Sequence, residues 1–166
     1  STGHLIITSK ILNIAPTEFN TAFDIIIQFG AIAAVCVIYF ERFKLNLDFY
    51  KKLLIGFIPT AVIGFLCKDI IRAFLENTTI VAWSLILGGI VMILTDRLIK
   101  NTTKNEVSHL DSFKIGLFQC FALIPGVSRS ASTIIGGQLM GLNRKTAAEF
   151  SFFLAVPTLT AAALYK

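Results

Sequence analysis

Residues 22–40 and 80–98 are runs of apolar side chains long enough to cross a bilayer, and similar runs recur along the chain with only short polar connections. A spanning helix needs about 20 mostly apolar residues. Inside a bilayer no water satisfies exposed backbone N–H and C=O groups, so a segment that crosses must be helical or part of a closed barrel. Composition agrees: 55% of residues are hydrophobic, 15% are charged and the mean hydropathy is +0.75, outside the range of soluble domains. The expectation is an all-α integral membrane protein, a polytopic helical bundle forming one membrane domain over residues 1–166.

Four spanning helices are predicted, over 22–40, 53–67, 80–98 and 150–165; the second holds Gly56, Pro59 and Gly64 and is expected to kink or tilt. Two stretches are too short to span. Residues 113–124 are apolar for about a dozen positions before Pro125-Gly126, and 133–142 resume for about ten, lengths that point to re-entrant or interfacial segments. Two short helices around a Pro-Gly break predict a hairpin that enters and leaves the membrane on one side. Backbone without helical bonds is tolerated at that depth only when buried in protein or lining a wet cavity.

Charge placement predicts the orientation. Arg42, Lys44, Lys51 and Lys52 lie in 41–52, and Arg97, Lys100, Lys104 and Lys114 in 96–114; Lys68 and Arg72 in 68–79 are balanced by Asp69 and Glu76. The cation-rich segments are expected on the cytoplasmic side, with Arg144 and Lys145, and 68–79 outside. With cations confined to short loops, the net charge of +5 does not describe a nucleic-acid surface. Cys36, Cys67 and Cys120 each lie within an apolar run, without metal-ligand or disulfide spacing.

A displacement of 127 positions lays Ser1 on Ser128, Ile7 on Ile134, Leu12 on Leu139, Phe23 on Phe150 and Ala34 on Ala161. Each copy reads as polar motif, short helix, connection, spanning helix. This predicts inverted-topology repeats of approximately 1–98 and 113–166, with broken helices meeting near the midplane. The chain starts at Ser1 and stops at Lys166 directly after an apolar run, so it is expected to be an internal piece of a longer protein.

The chemistry-bearing residues gather at the breaks. Arg129 stands among Ser128, Ser130, Ser132 and Thr133, behind Pro125-Gly126. An arginine within a membrane segment can snorkel or bond helix carbonyls. Hydroxyls, a helix N-terminus and a five-donor cation together instead suit a phosphate. Ser1-Thr2-Gly3-His4 is the counterpart in the other half; a hydroxyl and an imidazole so close serve as nucleophile and base, or the imidazole itself attacks phosphorus. Gln28, Gln119 and Glu149 are supporting candidates; for Gln119 a helix–helix hydrogen bond is the commoner role. Asp24 lies one turn from Gln28. His109 is expected to be solvated, and the pairs Gly88-Gly89 and Gly136-Gly137 to permit close helix packing.

These residues resemble the bacterial undecaprenyl-diphosphatase family, also known as the bacitracin-resistance family. The resemblance runs through Ser1-Thr2-Gly3-His4, Phe23-Asp24-Ile25-Ile26-Ile27-Gln28-Phe29-Gly30-Ala31, Gly116-Leu117-Phe118-Gln119, Pro125-Gly126-Val127-Ser128-Arg129-Ser130 and Glu149-Phe150-Ser151-Phe152 through Ala155-Val156-Pro157. It implies hydrolysis of undecaprenyl diphosphate to the monophosphate, recycling the lipid carrier of cell-wall synthesis, by a multi-pass protein of the bacterial cytoplasmic membrane. It implies a site open to the periplasm, with Ser1, His4 and Arg129 catalytic and Thr2, Gly126, Ser128, Arg129, Ser130 and Thr133 around the diphosphate. It also implies dependence on Mg2+ or Ca2+, held by a glutamate-rich motif ahead of Ser-Thr-Gly-His. Ala131 stands where the family often has glycine. A transporter or flippase of a polyprenyl phosphate or other anion, and a lipid-binding subunit, are the alternatives. Partners are the polyprenyl diphosphate and the bilayer; the oligomeric state, homodimer included, is left open.

Overall fold

The computed structural model describes residues 2–15, 17–43, 47–99 and 102–165, with backbone alone at Thr2, Glu18, Thr21, Asp24, Ile25, Arg42, Phe43, Glu76 and Tyr165. Its helices are α1 (Thr2–Ile11), α2 (Glu18–Ile38), α3 (Phe40–Phe43), α4 (Leu47–Leu66), α5 (Lys68–Glu76), α6 (Thr78–Leu98), α7 (His109–Gln119), α8 (Arg129–Leu139) and α9 (Arg144–Tyr165), with a 3-10 turn, Cys120–Leu123, after α7. α4, α6 and the stretch Arg144–Leu164 of α9 are long and apolar enough to cross a membrane. Side chains such as Leu54, Val62, Trp83, Ile86 and Ile93 are more than half exposed along α4 and α6, a surface that belongs in lipid. The protein is an all-α integral membrane protein.

Several helices begin earlier than hydrophobicity alone predicts, because their first turns are polar and capped. Asn143 accepts from Thr146 N at 2.8 Å, so α9 starts at Arg144 rather than 150. Ser108 and Asp111 form a reciprocal capping box at the start of α7, and the Ser128 side chain accepts from Ala131 N at the start of α8. Such oxygens satisfy donors that no preceding turn can bond. α4 gains a polar first turn held by Lys52 and Asp48, 2.6 Å apart, and continues through Pro59.

Segment 68–79, expected as a connection, folds as α5. Lys68, Asp69 and Arg72 take one side of this helix, and Ile70, Ile71, Phe74 and Leu75 the other. Ile71 and Phe74 are half-buried while Ile70 and Leu75 stay exposed, the pattern of a helix lying in the interface plane.

The core is built on Leu53, Ile115, Leu142, Ala147, Phe150, Phe153 and Leu154, where α4, α7 and α9 pack. At the α4–α7 crossing a Cβ on Gly116 would strike the Gly56 backbone, so only glycine allows this approach. Gly136 packs on Phe118 and Gly137 on Ala147, as expected of that pair; Gly88 and Gly89 have nothing within 4 Å, so the packing role predicted for them is not seen among the described residues.

α7 and α8 form the hairpin. Its two ends are tied by backbone bonds, Lys104 N to Gly141 O at 3.1 Å and Asn143 N to Lys104 O at 2.9 Å, with Lys104 also bonded to the Asp111 carboxylate. The segment thus starts and ends at one point, as a re-entrant segment must. Nearby pairs gather the segments predicted to share a side: Arg144 Nη1 lies 2.7 Å from Asp96 Oδ1, and His109 Nε2 lies 3.0 Å from Asp48 Oδ1. His109 is half exposed, as expected, yet paired.

At the Asp111 carboxyl, burial pushes the pKa up, but hydrogen bonds from Lys104 and from the Ser108 backbone and hydroxyl outweigh it, and the group ends below its ordinary value.

Displacement by 127 positions brings the bounds of α1 and α2 within one residue of those of α8 and α9. Tyr39, which caps α2, meets Phe153 edge-on at 5.2 Å in the first half of α9.

Candidate active site

The hairpin turns at Gly126, whose φ of 97° lies where side chains with a Cβ are strained. A Cβ there would also sit 2.5 Å from Val81 O and 2.8 Å from Ser84 Cβ. The tip thus presses against α6 near its N-terminus. Ser84 lies about 20 Å along the helix axis from Leu98, so the tip has crossed most of the depth from the hairpin's mouth.

α1 arrives at the same point. A Cβ on Gly3 would approach Gly126 Cα to 2.9 Å and Val81 Cγ1 to 3.5 Å. The Ser-Thr-Gly-His and Pro-Gly-x-Ser-Arg-Ser motifs, far apart in sequence, are in backbone contact. Gly3 of α1 thus meets the turn just ahead of α8. The N-terminus of α8 brings the positive end of a helix dipole to this point, an arrangement suited to an anion.

Around the α8 N-terminus, Ser128 Oγ and Ser130 Oγ are 3.2 Å apart, and Ser132 Oγ donates to Ser128 O at 3.0 Å. Arg129 Nη1 donates to Ser151 O at 2.8 Å. That carbonyl engages one of the five donors a guanidinium carries. The arginine is thus oriented from α9 rather than extended to the protein surface.

Two expected ligand contacts serve the scaffold instead. Thr133 is fully buried; its hydroxyl bonds Arg129 O at 3.0 Å and lies 2.7 Å from Ser151 Oγ, so it holds α8 on α9 and offers a ligand no surface. Gln119, also fully buried, donates to Thr60 Oγ1 at 2.9 Å and to Thr158 Oγ1 at 3.2 Å, tying α7 to α4 and α9. This is the helix–helix role.

His4 is exposed on α1, and Gln28 is half-buried on α2. Glu149, half-buried in the second turn of α9, is already engaged. Ser1 and the Thr2 side chain lie outside the described residues. Ser151, Thr60, Thr158, Val81 and Ser84 were not among the sequence candidates. Ser151 alone carried a signal, its place in the Glu149–Phe152 run.

Hard divalent cations favour several oxygen ligands, carboxylates above all. Among the described residues no group of three His, Cys, Asp or Glu side chains could hold a metal ion, and the serines here are neutral. These residues by themselves do not make an Mg2+ or Ca2+ site.

The family model of the bacitracin resistance protein BacA matches residues 1–166. The chain belongs to the BacA family. It is 50% identical over 171 residues to the undecaprenyl-diphosphatase of Bdellovibrio bacteriovorus, covering 100% of this chain and 65% of that protein. It is 52% identical over 166 residues to that of Flavobacterium psychrophilum, covering 100% and 64%. With that of Aquifex aeolicus it shares 51% over 170 residues, covering 99% and 66%. This BacA chain thus spans just under two thirds of the length of the relatives it matches. The motif contact at Gly3 and Gly126 lies wholly within the shared region.

Proposed function

We propose that the protein carrying this chain hydrolyses undecaprenyl diphosphate to undecaprenyl phosphate and inorganic phosphate, and thereby confers bacitracin resistance. The observation that carries this reading is the backbone contact of Gly3 with Gly126, which brings α1 against the turn that leads into Ser128, Arg129 and Ser130. Membership of the BacA family and relatives named undecaprenyl-diphosphatase support it.

The diphosphate docks on the N-terminal N–H groups of α8, the Ser128 and Ser130 hydroxyls and the Arg129 guanidinium, which swings from Ser151 O or shares its fork with it. Ser1 Oγ attacks the terminal phosphorus while His4 takes its proton; the imidazole as nucleophile is the variant of the same step. The bridging P–O bond breaks and its electron pair leaves on the lipid monophosphate. Water then releases inorganic phosphate from the enzyme. Charge that builds on the phosphoryl oxygens is met by fixed donors aimed at that point. Dependence on Mg2+ or Ca2+ belongs to the proposal as well and is checked by chelation.

The inverted-repeat plan belongs to the proposal too, supported by the matching bounds of α1–α2 and α8–α9. We place the site toward the periplasmic face of the cytoplasmic membrane, because the cation-rich segments gather at the other end of the bundle. The test is phosphate release from undecaprenyl diphosphate in detergent, with the wild type and Arg129→Ala. Wild-type turnover that disappears in the variant is expected. Wild-type rates in Arg129→Ala would discard the cradle, and anion movement in sealed vesicles without phosphate release would favour the carrier reading.

A further inference from the structure

We propose that Ser151 is a positioning residue for the hydrolysis: through two bonds to the first turn of α8 it sets the Arg129 guanidinium in place before the diphosphate arrives. This rests on the hydrolase reading above. The Ser151 carbonyl accepts from Arg129 Nη1 at 2.8 Å, and Ser151 Oγ lies 2.7 Å from Thr133 Oγ1. One residue of α9 thus holds both the tip of the arginine and the helix turn that carries it.

The direction of the second bond follows from counting protons. Thr133 Oγ1 lies 3.0 Å from Arg129 O and 3.1 Å from Ser130 O, and a carbonyl only accepts. A hydroxyl has a single proton. Thr133 gives its own to these carbonyls, so Ser151 is the donor to Thr133. The relay runs from Ser151 through Thr133 to the backbone of Arg129 and Ser130, two of the residues proposed to receive the phosphate. Ser151 and Thr133 are both fully buried, so both bonds are shielded from water. The support behind them is stiff. Ser151, Leu154, Ala155 and Thr158 fall at i, i+3, i+4 and i+7 of α9 and share one face, and Thr158 bonds Gln119 of α7. The same side of α9 thus holds both arms of the hairpin, and an arginine fixed from it loses little freedom on meeting an anion.

The experiment measures phosphate release from undecaprenyl diphosphate in detergent by the wild type, Ser151→Ala and Ser151→Cys, with thermal unfolding on the same preparations. Ser151→Ala removes the donor but leaves Thr133 bonded to its carbonyls, so no buried donor is orphaned. The N–H groups and hydroxyls at the start of α8 still hold the substrate, whereas a displaced guanidinium fails where charge builds in the transition state. The expected result for Ser151→Ala is a kcat about tenfold lower, less than the roughly hundredfold of a full ångström's misplacement. KM should stay within about threefold of wild type, and the melting temperature should fall by no more than about 8 °C. Ser151→Cys keeps a weaker donor, and its kcat is expected between the two. Wild-type kcat in both variants overturns the positioning role while leaving the hydrolase reading standing. A loss carried by KM alone, or one accompanied by a larger fall in melting temperature, overturns it as well. Failure of the wild type to release phosphate overturns the hydrolase reading itself, and this assignment with it.

Discussion

Gly3→Ala separates position from stability at the site. An added Cβ would lie 2.9 Å from Gly126 Cα, whereas carbon atoms rest at about 3.5–4.0 Å, so α1 and the hairpin tip must part by about 0.6–1.1 Å. The atom struck is backbone, flanked by a turn at φ 97° that is itself wedged on α6, so the shift falls on α1. Overpacking of this kind costs about 1–3 kcal/mol, but alanine is favoured over glycine inside a helix by about 1 kcal/mol. The net stability change is then roughly 0–2 kcal/mol. Misplacing reacting groups by about 1 Å, in contrast, costs on the order of a hundredfold in rate. Phosphate release and thermal unfolding should be measured on the same detergent preparation, with Gly30→Ala as the control, since Gly30 has nothing within 4 Å. The expected result is a loss of about two orders of magnitude in kcat/KM with a melting temperature lowered by no more than about 8 °C. A Gly3→Ala enzyme within about threefold of wild type would show that motif contact does not set the chemistry.

Gln119→Leu leaves Thr60 and Thr158 without their buried partner and should lower unfolding stability by about 2–4 kcal/mol, read by thermal denaturation; a change below about 0.5 kcal/mol would contradict the tie. Gly88→Ala and Gly89→Ala, with open space around both, should be neutral or stabilising by up to about 1 kcal/mol each, and a clear loss of stability on thermal melting would reveal a partner at that face. The Asp111 carboxyl has a folded pKa below its ordinary value of 3.8, so its contribution to stability is present above that value and is lost as pH falls through the folded pKa. Melting temperature should therefore drop on acidification below about pH 4, and Asp111→Asn should flatten that drop; an unchanged acid slope would mean that the clasp at the hairpin's mouth is not held by this charge.

The sequence made three of the four predicted spans legible, because a bilayer demands long apolar runs and 80–98 is interrupted by nothing that would stop a helix; over 22–40 the described residues carry only the shorter apolar helix Ile26–Ile38. Helix starts were less legible. Ser108, Ser128 and Asn143 act through one side-chain oxygen each, and their polar first turns look like connections. α5 was hidden because its charges and apolar residues interleave along the chain and separate only when wound into a helix. Gly88-Gly89 and Gly136-Gly137 are identical as dipeptides; their surroundings alone distinguish them. At the site, Pro-Gly and the hydroxyl-ringed arginine marked the break, and the displacement by 127 positions pointed to its counterpart at Gly3. Nothing in the residue order, however, shows that Thr133 and Gln119 turn inward, or that Arg129 takes its bearing from the Ser151 carbonyl.

The amphipathic α5 also works as a depth gauge. It joins α4 to α6 with its charged side toward water, so it marks the waterline of one leaflet. Val81, against which the hairpin tip rests, lies only about 5 Å along α6 below the first residue of that helix. A lipid floating in this leaflet carries its anionic end at that same height. On the proposed reading, such a lipid reaches the start of α8 by sideways drift without being hoisted out of the membrane, an encounter in two dimensions rather than three.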